Sequence, residues 1–157
     1  IATGTAIAIS PNQLITNCHI IADRPLVKIM LPDGPDAQVR LISSDFRRDL
    51  CLLEYQGNLS GFAKNFRQSR LIEVGEEVFA IGNPAGLAKS ISSGIVSGLR
   101  EMDGVATIQT NTEISGGSSG GGLFDSAGNL IGITSFGLKG AEGLNFAIAI
   151  EEFISLK

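Results

Sequence analysis

Short segments rich in aliphatic and β-branched residues run through nearly all of this 157-residue chain, and each is soon broken by Gly, Pro, Asn or Asp. The breaks fall about every ten residues, and few stretches repeat apolar residues at the spacing of an amphipathic helix. Glycine is abundant, at 20 residues, and it accepts the backbone angles that tight turns require. The pattern predicts an all-β fold built from many short strands.

The first third of the chain predicts one group of strands, which we call the N-terminal lobe (residues 1–56). A small barrel of this kind closes with about six strands, but five are evident here. The sixth is expected upstream of Ile1 or within Ile1 to Gly4. The five predicted strands are Thr5 to Ser10, Leu14 to Ile20, Val27 to Leu31, Ala37 to Ile42 and Leu50 to Tyr55.

The apolar rhythm lapses between Gly57 and Arg70, and we predict that residues 57–70 link two lobes of a single domain (residues 1–157). The C-terminal lobe (residues 71–157) has enough strands to close a small barrel. Glu151 to Leu156 predicts a short terminal helix. The six predicted strands of this lobe are Glu77 to Ile81, Ile91 to Leu99, Val105 to Gln109, Gly121 to Phe124, Leu130 to Ser135 and Leu144 to Ile150.

Charge and hydropathy exclude two classes of partner. The net charge is −4, and the 12 Lys and Arg are scattered apart from the Arg47-Arg48 pair, so nucleic acid is not an expected partner. No apolar run approaches the roughly 18 residues that cross a bilayer, so no membrane insertion is expected. The chain starts at Ile1 without an initiator Met or a basic signal region, and we expect it to be a processed or trimmed piece.

His19 is the only histidine, and Cys18 and Cys51 are the only cysteines. This set fits no paired zinc-ligand spacing, so we expect no structural zinc. The two cysteines form either one disulfide or two buried free thiols. Free thiols are the slightly favoured reading, because cysteine is a common small core residue.

The sequence SGGSSGGG (residues 115–122) is the strongest local signal, because glycines around a serine let backbone N–H groups converge on one point. A phosphate-binding loop would end in GK[ST] and lead into a helix, and this one does neither. An α/β-hydrolase nucleophile elbow would also precede a helix, with its partner residues downstream. Here a strand is predicted to follow, and the single histidine lies far upstream. The remaining reading is a serine nucleophile beside an oxyanion-binding loop.

A serine nucleophile needs a base and a carboxylate, and two residues of the N-terminal lobe are candidates. His19 closes LITNCHII, a strand running into a turn, and Asp49 opens DLCLLEY. Both lie at strand ends, where they can meet and face the Gly/Ser loop across a cleft. Taken singly, His19 would be read as a surface residue, and Asp49 as a turn residue or an ion-pair partner of Arg47 or Arg48.

The segments around these residues resemble the chymotrypsin-like (trypsin-like) serine peptidases, and most closely the HtrA/Deg branch of that family. They stand in the family's order and cover most of the chain, which makes them far more specific than a lone GxSxG. The resemblance implies two six-stranded antiparallel Greek-key barrels with the active site in the cleft between them and a short C-terminal helix. The segments are GTAIAIS, LITNCHII, SSDFRRDLCLL, VGEEVFAIGNPAGL, SISSGIVSGL, IQTNTEISGGSSGGGLF, NLIGITSFG and GLNFAIAI.

The resemblance implies a serine endopeptidase that works through an acyl-enzyme, without a metal or organic cofactor. His19 matches the family's base, Asp49 its carboxylate and Ser119 its nucleophile, and the N–H groups of Gly117 and Ser119 match its oxyanion hole. Ser118 also satisfies GxSxG, but the two glycines that follow Ser119 fit the family's GNSGGPL. Protein or peptide substrates and an extracytoplasmic location (periplasmic, secreted or organellar) are implied in the same way.

Substrate selection is expected to depend on residues before the nucleophile, on the TSFG strand and on one residue downstream. Ile114 stands where HtrA-like members fill the pocket floor, which favours a small aliphatic residue before the scissile bond. Glu113 stands where trypsin-like members place an acidic residue, which favours Lys or Arg; we lean to the aliphatic reading. The expected substrate-binding residues are Glu113, Ile114, Ser115, Thr134, Ser135, Phe136, Gly137 and Asn145.

The chain departs from the family pattern at three positions. Ser118 replaces the Asp that zymogen-type members place before the nucleophile, so Ile1 cannot form their activating ion pair. Gly122 replaces a proline, and Asn145 replaces a glycine of the pocket wall. We expect no PDZ module after Lys157, so HtrA-type regulation and trimerisation are not assumed. These departures keep a second hypothesis open, a catalytically inactive module of the same fold that binds peptides or proteins.

Overall fold

The structure is a computed structural model that describes residues 4–21, 24, 26–31, 34–82, 90–114, 117–137 and 143–154. Almost all regular structure in these ranges is antiparallel strand, as the punctuated sequence predicted. The predicted all-β class is therefore confirmed.

The second half of the chain forms a closed six-stranded barrel, which confirms the barrel predicted there. Its strands are β6 (Glu77–Gly82), β7 (Ser90–Met102), β8 (Val105–Thr110), β9 (Gly122–Asp125), β10 (Leu130–Gly137) and β11 (Asn145–Ala149). Their spatial order is β6-β7-β8-β11-β10-β9, and β9 pairs with β6 to close the barrel.

The first third forms a five-stranded sheet, which we call the N-terminal sheet, in the order β1-β2-β5-β4-β3. The fold class predicted six strands here. Residues 1–3, where part of the missing strand was expected, lie outside the described ranges. The strands are β1 (Ile7–Ser10), β2 (Gln13–Thr16), β3 (Val27–Ile29), β4 (Ala37–Asp45) and β5 (Leu50–Tyr55).

Several predicted strands are longer than the observed ones, and the second departs furthest. The segment Leu14 to Ile20 leaves the sheet at Thr16, and a helical turn, α1 (Cys18–Ile21), takes its place. Backbone hydrogen bonds of the new turn run from the N–H of Ile20 to the carbonyl of Asn17, 3.3 Å apart. The apolar pattern of this segment predicted a continued strand, but it reflects burial of the turn. Asn17 and Cys18, where the turn starts, are fully buried.

Cys18 and Cys51 form a disulfide, so the favoured reading of two free thiols is wrong. The bond joins the first residue of α1 to the second residue of β5, with the two Cα atoms 5.1 Å apart. Both cysteines are fully buried, which is the property that made free thiols plausible.

One hydrophobic cluster, which we call the shared core, contains residues of both sheets. A helix at the C-terminal end, α2 (Ile150–Ile154), adds to it and replaces the last residue of the strand predicted to reach Ile150. Because the N-terminal sheet and the barrel bury one common cluster, they pack as neighbours over a continuous interface. The buried members are Ile15, Leu50, Leu52, Val105, Leu130, Ile133, Ile148, Ile150 and Phe153.

The segment between the two sheets is hydrogen-bonded to both of them. The N–H of Ala63 donates to the carbonyl of Ala8 (2.8 Å) in β1, and the N–H of Arg67 donates to the carbonyl of Leu130 (3.1 Å) in β10. A short 3-10 helix, Ser69–Leu71, follows. The chain thus crosses from sheet to barrel in this region, and the exact lobe boundaries stay predictions.

Candidate active site

His19 and Asp49 form a hydrogen-bonded pair. Nδ1 of His19 lies 2.6 Å from Oδ2 of Asp49, and the backbone N–H of His19 donates to Oδ1 over 2.9 Å. An ionised carboxylate only accepts hydrogen bonds, so in a neutral imidazole the proton lies on Nδ1 and Nε2 keeps its lone pair. The His19 side chain is half exposed, at 53%, so the pair opens to solvent and is not sealed in the core.

The backbone of Asp49 is held in an unusual conformation. Its φ of 57° lies in the left-handed region, which few residues with a side chain adopt. Two donors hold its carbonyl: Nδ2 of Asn17 at 3.0 Å and the N–H of Cys18 at 3.3 Å. The disulfide from Cys18 to Cys51 ties the same two segments together. These contacts fix the segment before His19 directly to Asp49.

The turn that leads into Asp49 is fixed by Arg48, which pairs with Asp45 and not with Asp49. The Arg48 guanidinium lies 2.5 Å from Oδ2 of Asp45 and 2.7 Å from Oε1 of Glu152 in α2. The backbone N–H of Arg48 lowers the pKa of Asp45, burial acts in the opposite direction, and the guanidinium adds to the lowering. Asp49 does lie in a turn, but its carboxylate serves His19, so the ion-pair alternative is wrong.

Hydrogen bonds connect Ser119 to the His19–Asp49 pair through a third residue, Ser135 of β10. The Ser119 hydroxyl donates to the backbone carbonyl of Ser135 over 2.9 Å, and the Ser135 hydroxyl donates to Oδ2 of Asp49 over 3.4 Å. Among the described residues, Ser119 and His19 share no hydrogen bond. The predicted substrate-binding role of Ser135, which the TSFG segment suggested, stays a prediction, and the contact of its side chain with Asp49 was not foreseen.

The loop around Ser119 is bent by glycines with positive φ, Gly117 at 91° and Gly120 at 90°. The carbonyl of Ser118 accepts from the Thr134 hydroxyl (2.8 Å) and from the N–H of Gly121 (3.0 Å). In the described part of the chain, the N–H groups of Gly117 and Ser119 donate to no other residue.

The other expected substrate-binding residues surround this loop. Glu113 is exposed, and its carbonyl accepts from Ser92 over 3.0 Å; Ile114 is half-buried. The Asn145 amide donates to the carbonyl of Thr112 over 2.8 Å, which turns it toward the segment before the loop. Thr134 is buried, and its hydroxyl holds the loop as described above.

Three expected substrate-binding residues are seen less completely. Ser115 lies outside the described ranges. The backbones of Phe136 and Gly137 lie in β10, where they pair with Phe146 and Asn145 of β11.

Residues 4–133 match the family described as a trypsin-like peptidase domain. The chain belongs to this family. The match starts before β1 and ends in β10, so it includes His19, Asp49 and Ser119 of the trypsin-like peptidase domain.

Curated relatives of this trypsin-like peptidase domain include bacterial endoproteases. It is 38% identical over 150 residues to the serine endoprotease DegS of Haemophilus influenzae, covering 88% of this chain and 44% of that protein. It is 33% identical over 156 residues to the periplasmic serine endoprotease DegP of Escherichia coli, covering 94% of this chain and 33% of DegP. The chain thus spans less than half the length of these relatives.

Solved structures give the same picture for this trypsin-like peptidase domain. The HtrA-type protease AlgW, solved with a decapeptide, superposes with a TM-score of 0.88 and 32% identity over 96% of this chain and 49% of AlgW. The fold is therefore that of an HtrA-type protease. Among the described residues, no helix is long and apolar enough to cross a membrane.

Proposed function

We propose that the protein is a serine endopeptidase in which Ser119 is the nucleophile, His19 the general base and Asp49 the carboxylate that orients it. The observation that carries the proposal is the bridging role of Ser135, whose carbonyl accepts from Ser119 and whose hydroxyl contacts Asp49. One residue thus joins the nucleophile to the His-Asp pair across the two sheets.

In the proposed reaction the Ser119 hydroxyl first turns from the Ser135 carbonyl toward Nε2 of His19. Its oxygen attacks the peptide carbonyl carbon while Nε2 takes the proton, and Asp49 stabilises the imidazolium. The N–H groups of Gly117 and Ser119 hold the oxyanion, each contributing about 3 kcal/mol in comparable sites. His19 then protonates the leaving amine. In the second half of the reaction Nε2 of His19 takes a proton from a water molecule as that water attacks the acyl-enzyme carbonyl, and it returns the proton to the Ser119 oxygen as the new carboxylic acid leaves.

We infer that the substrates are proteins or peptides with a small aliphatic residue before the scissile bond. Ile114 is half-buried beside the loop, whereas Glu113 is exposed and its carbonyl is engaged by Ser92. Solvation of the Glu113 carboxylate disfavours it as the buried partner of a basic side chain. A cleavage profile from a peptide library tests this choice; cleavage after Lys or Arg would assign the selecting role to Glu113.

We place the protein outside the cytoplasm. Its Cys18–Cys51 disulfide fits an oxidising compartment, and the similar DegP is periplasmic. Expression of a tagged full-length protein, followed by fractionation of the cells, tests this location. Recovery of the protein in the cytoplasm with reduced cysteines would contradict it.

A second candidate function is peptide binding without turnover. It is favoured by one observation: the Ser119 hydroxyl is bonded to Ser135 and shares no hydrogen bond with His19 in the described part of the chain. A binding module would keep this arrangement permanently, whereas a peptidase leaves it when substrate binds.

Labelling with a fluorophosphonate separates the two functions, because only an activated serine reacts. We expect wild type to be labelled, Ser119→Ala to be unlabelled, and Ser118→Ala to be labelled like wild type. The Ser118 variant is the matched control, since it removes the neighbouring hydroxyl of the same loop. Loss of labelling in Ser118→Ala but not in Ser119→Ala would reverse the assignment, and a folded wild type that never reacts would favour the binding module.

A further inference from the structure

Thr5, which lies before β1, makes two hydrogen bonds to the nucleophile loop. Its backbone N–H donates to the carbonyl of Ser119 over 2.9 Å, and its hydroxyl donates to the carbonyl of Gly117 over 2.8 Å. The two carbonyls flank Ser118 in the sequence. A single residue of the N-terminal part of the chain therefore donates hydrogen bonds to both ends of the proposed oxyanion-binding turn.

Thr5 is itself held by the strand that leads to His19. The Thr16 hydroxyl donates to the Thr5 carbonyl over 2.7 Å, and Thr16 is 2% exposed at the end of β2. Gly120 lies against the same contact, because a Cβ there would collide with the Thr5 carbonyl and the Thr16 hydroxyl. The hydrogen bonds thus run from the strand before His19, through Thr5, to the loop that carries Ser119.

The loop needs such restraint because Gly117 lacks the side chain that limits backbone rotation in other residues. Its φ of 91° is in a region that glycine enters and leaves easily. A trans peptide points its N–H opposite to its carbonyl. The carbonyl of Ser118 is already fixed by Thr134, which aims the N–H of Ser119. The Gly117 carbonyl belongs to the peptide that joins Gly117 to Ser118, between the two proposed oxyanion donors, so fixing it restrains the torsions that set the direction of the Gly117 N–H relative to that of Ser119.

We propose that Thr5 is a positioning residue, whose hydroxyl keeps the Gly117–Ser119 turn in the shape that binds an oxyanion. The inference rests on the proposed function for its effect on rate, but its effect on loop order can be measured without turnover. The described contacts of Thr5 with the site are to the backbone of the loop, so its proposed effect on the reaction passes through the loop.

The test compares Thr5→Val, which removes the hydroxyl and keeps the shape, with Thr5→Ser, which keeps the hydroxyl. Thr107→Val is the matched control, because the buried Thr107 hydroxyl also donates to a backbone carbonyl, that of Val105, at 3.0 Å. Thr5→Ala repeats the test should the valine methyl prevent folding. The readouts are the saturating rate of fluorophosphonate labelling, the probe concentration at half saturation, and amide hydrogen exchange of residues 117–121.

We expect Thr5→Val to lower the saturating labelling rate about tenfold, the equivalent of roughly 1.4 kcal/mol and of one net hydrogen bond at the upper end of its range. Half saturation should stay within about twofold, since the loop's shape and not probe binding is changed. Exchange in the loop should accelerate in Thr5→Val, and Thr5→Ser and Thr107→Val should behave like wild type.

Unchanged labelling and unchanged loop exchange in Thr5→Val would overturn the proposal while leaving the serine mechanism intact. A Thr5→Ser variant as slow as Thr5→Val would also overturn it, because the retained hydroxyl must rescue the rate. If wild type is never labelled but loop exchange accelerates in Thr5→Val, the proposed peptidase function fails and the positioning role of Thr5 is supported.

Discussion

Reducing the Cys18–Cys51 disulfide should loosen the protein far more than a typical surface change. The bond closes a loop with a sequence separation of 33 residues. The loop-entropy relation gives about 12.5 cal/mol/K for this length, which is roughly 3.7 kcal/mol at 25 °C. With a urea dependence of about 2 kcal/mol/M, the unfolding midpoint should fall by about 2 M.

The assay is equilibrium urea unfolding of wild type with and without dithiothreitol. Both cysteines are fully buried, so reduction is completed by passing through the unfolded state before refolding. The double variant Cys18→Ala/Cys51→Ala is the control, and its midpoint should be insensitive to dithiothreitol. Fluorophosphonate labelling should slow on reduction as well, because the bond ties the segment of His19 to that of Asp49.

The result that refutes this reasoning is a wild-type midpoint that is the same, within about 0.3 M urea, whether the cysteines are oxidised or reduced. Thiol titration of the unfolded protein must show that the bond was present at the start and absent afterwards. A midpoint shift shared by the double variant would assign the effect to the reductant instead of the disulfide.

Further predictions concern three other residues. Asp49→Asn should lower the labelling rate about 10⁴-fold without unfolding the protein, because the wrong imidazole tautomer results; a loss below tenfold contradicts the assignment. Arg67 holds the pKa of Glu76 below its usual range, so this stabilisation is present at neutral pH and is lost as pH falls through the lowered pKa. The melting temperature of Glu76→Gln should therefore fall less on acidification than that of wild type; equal falls exclude this pair. Gly120→Ala should lower the free energy of unfolding by about 1–3 kcal/mol or more, because a φ of 90° and a blocked Cβ position combine there. The control is Gly61→Ala, where a Cβ would enter open space. Equal stability of the two variants would contradict the predicted collision at Gly120.

The strands were the most predictable part of this fold. Alternation and turn residues place β5 (Leu50–Tyr55) at the observed bounds and start β8 at Val105, because both segments are uninterrupted runs with clear turn residues before them. The end of β2 was predicted too far along the chain, because Cys18 and Ile20 continue the apolar pattern. They lie in a helical turn, and only burial against the rest of the fold explains their apolar character. Local periodicity reports burial, and it cannot separate a buried turn from a buried strand.

The residues of the candidate site were predicted from their order in the chain, whereas the contacts between them could not be. The disulfide depends on two segments meeting in space, and the two cysteines alone allow either answer. Ser135 was placed on the correct strand, but its contact with Asp49 was not predicted. Thr5 carried no signal of its own, because a threonine before a strand is ordinary and its importance lies in the loop it reaches.

The shared core has a consequence for how the proposed peptidase survives among other copies of itself. Ile15 and Leu50 of the N-terminal sheet are buried in one cluster with Leu130 and Ile133 of the barrel, so separating the sheets exposes apolar surface on both. Separating the two sheets is therefore costly. A neighbouring copy needs an extended, accessible segment to cut, and a molecule that rarely opens in part offers few of them. We expect self-digestion to follow global unfolding.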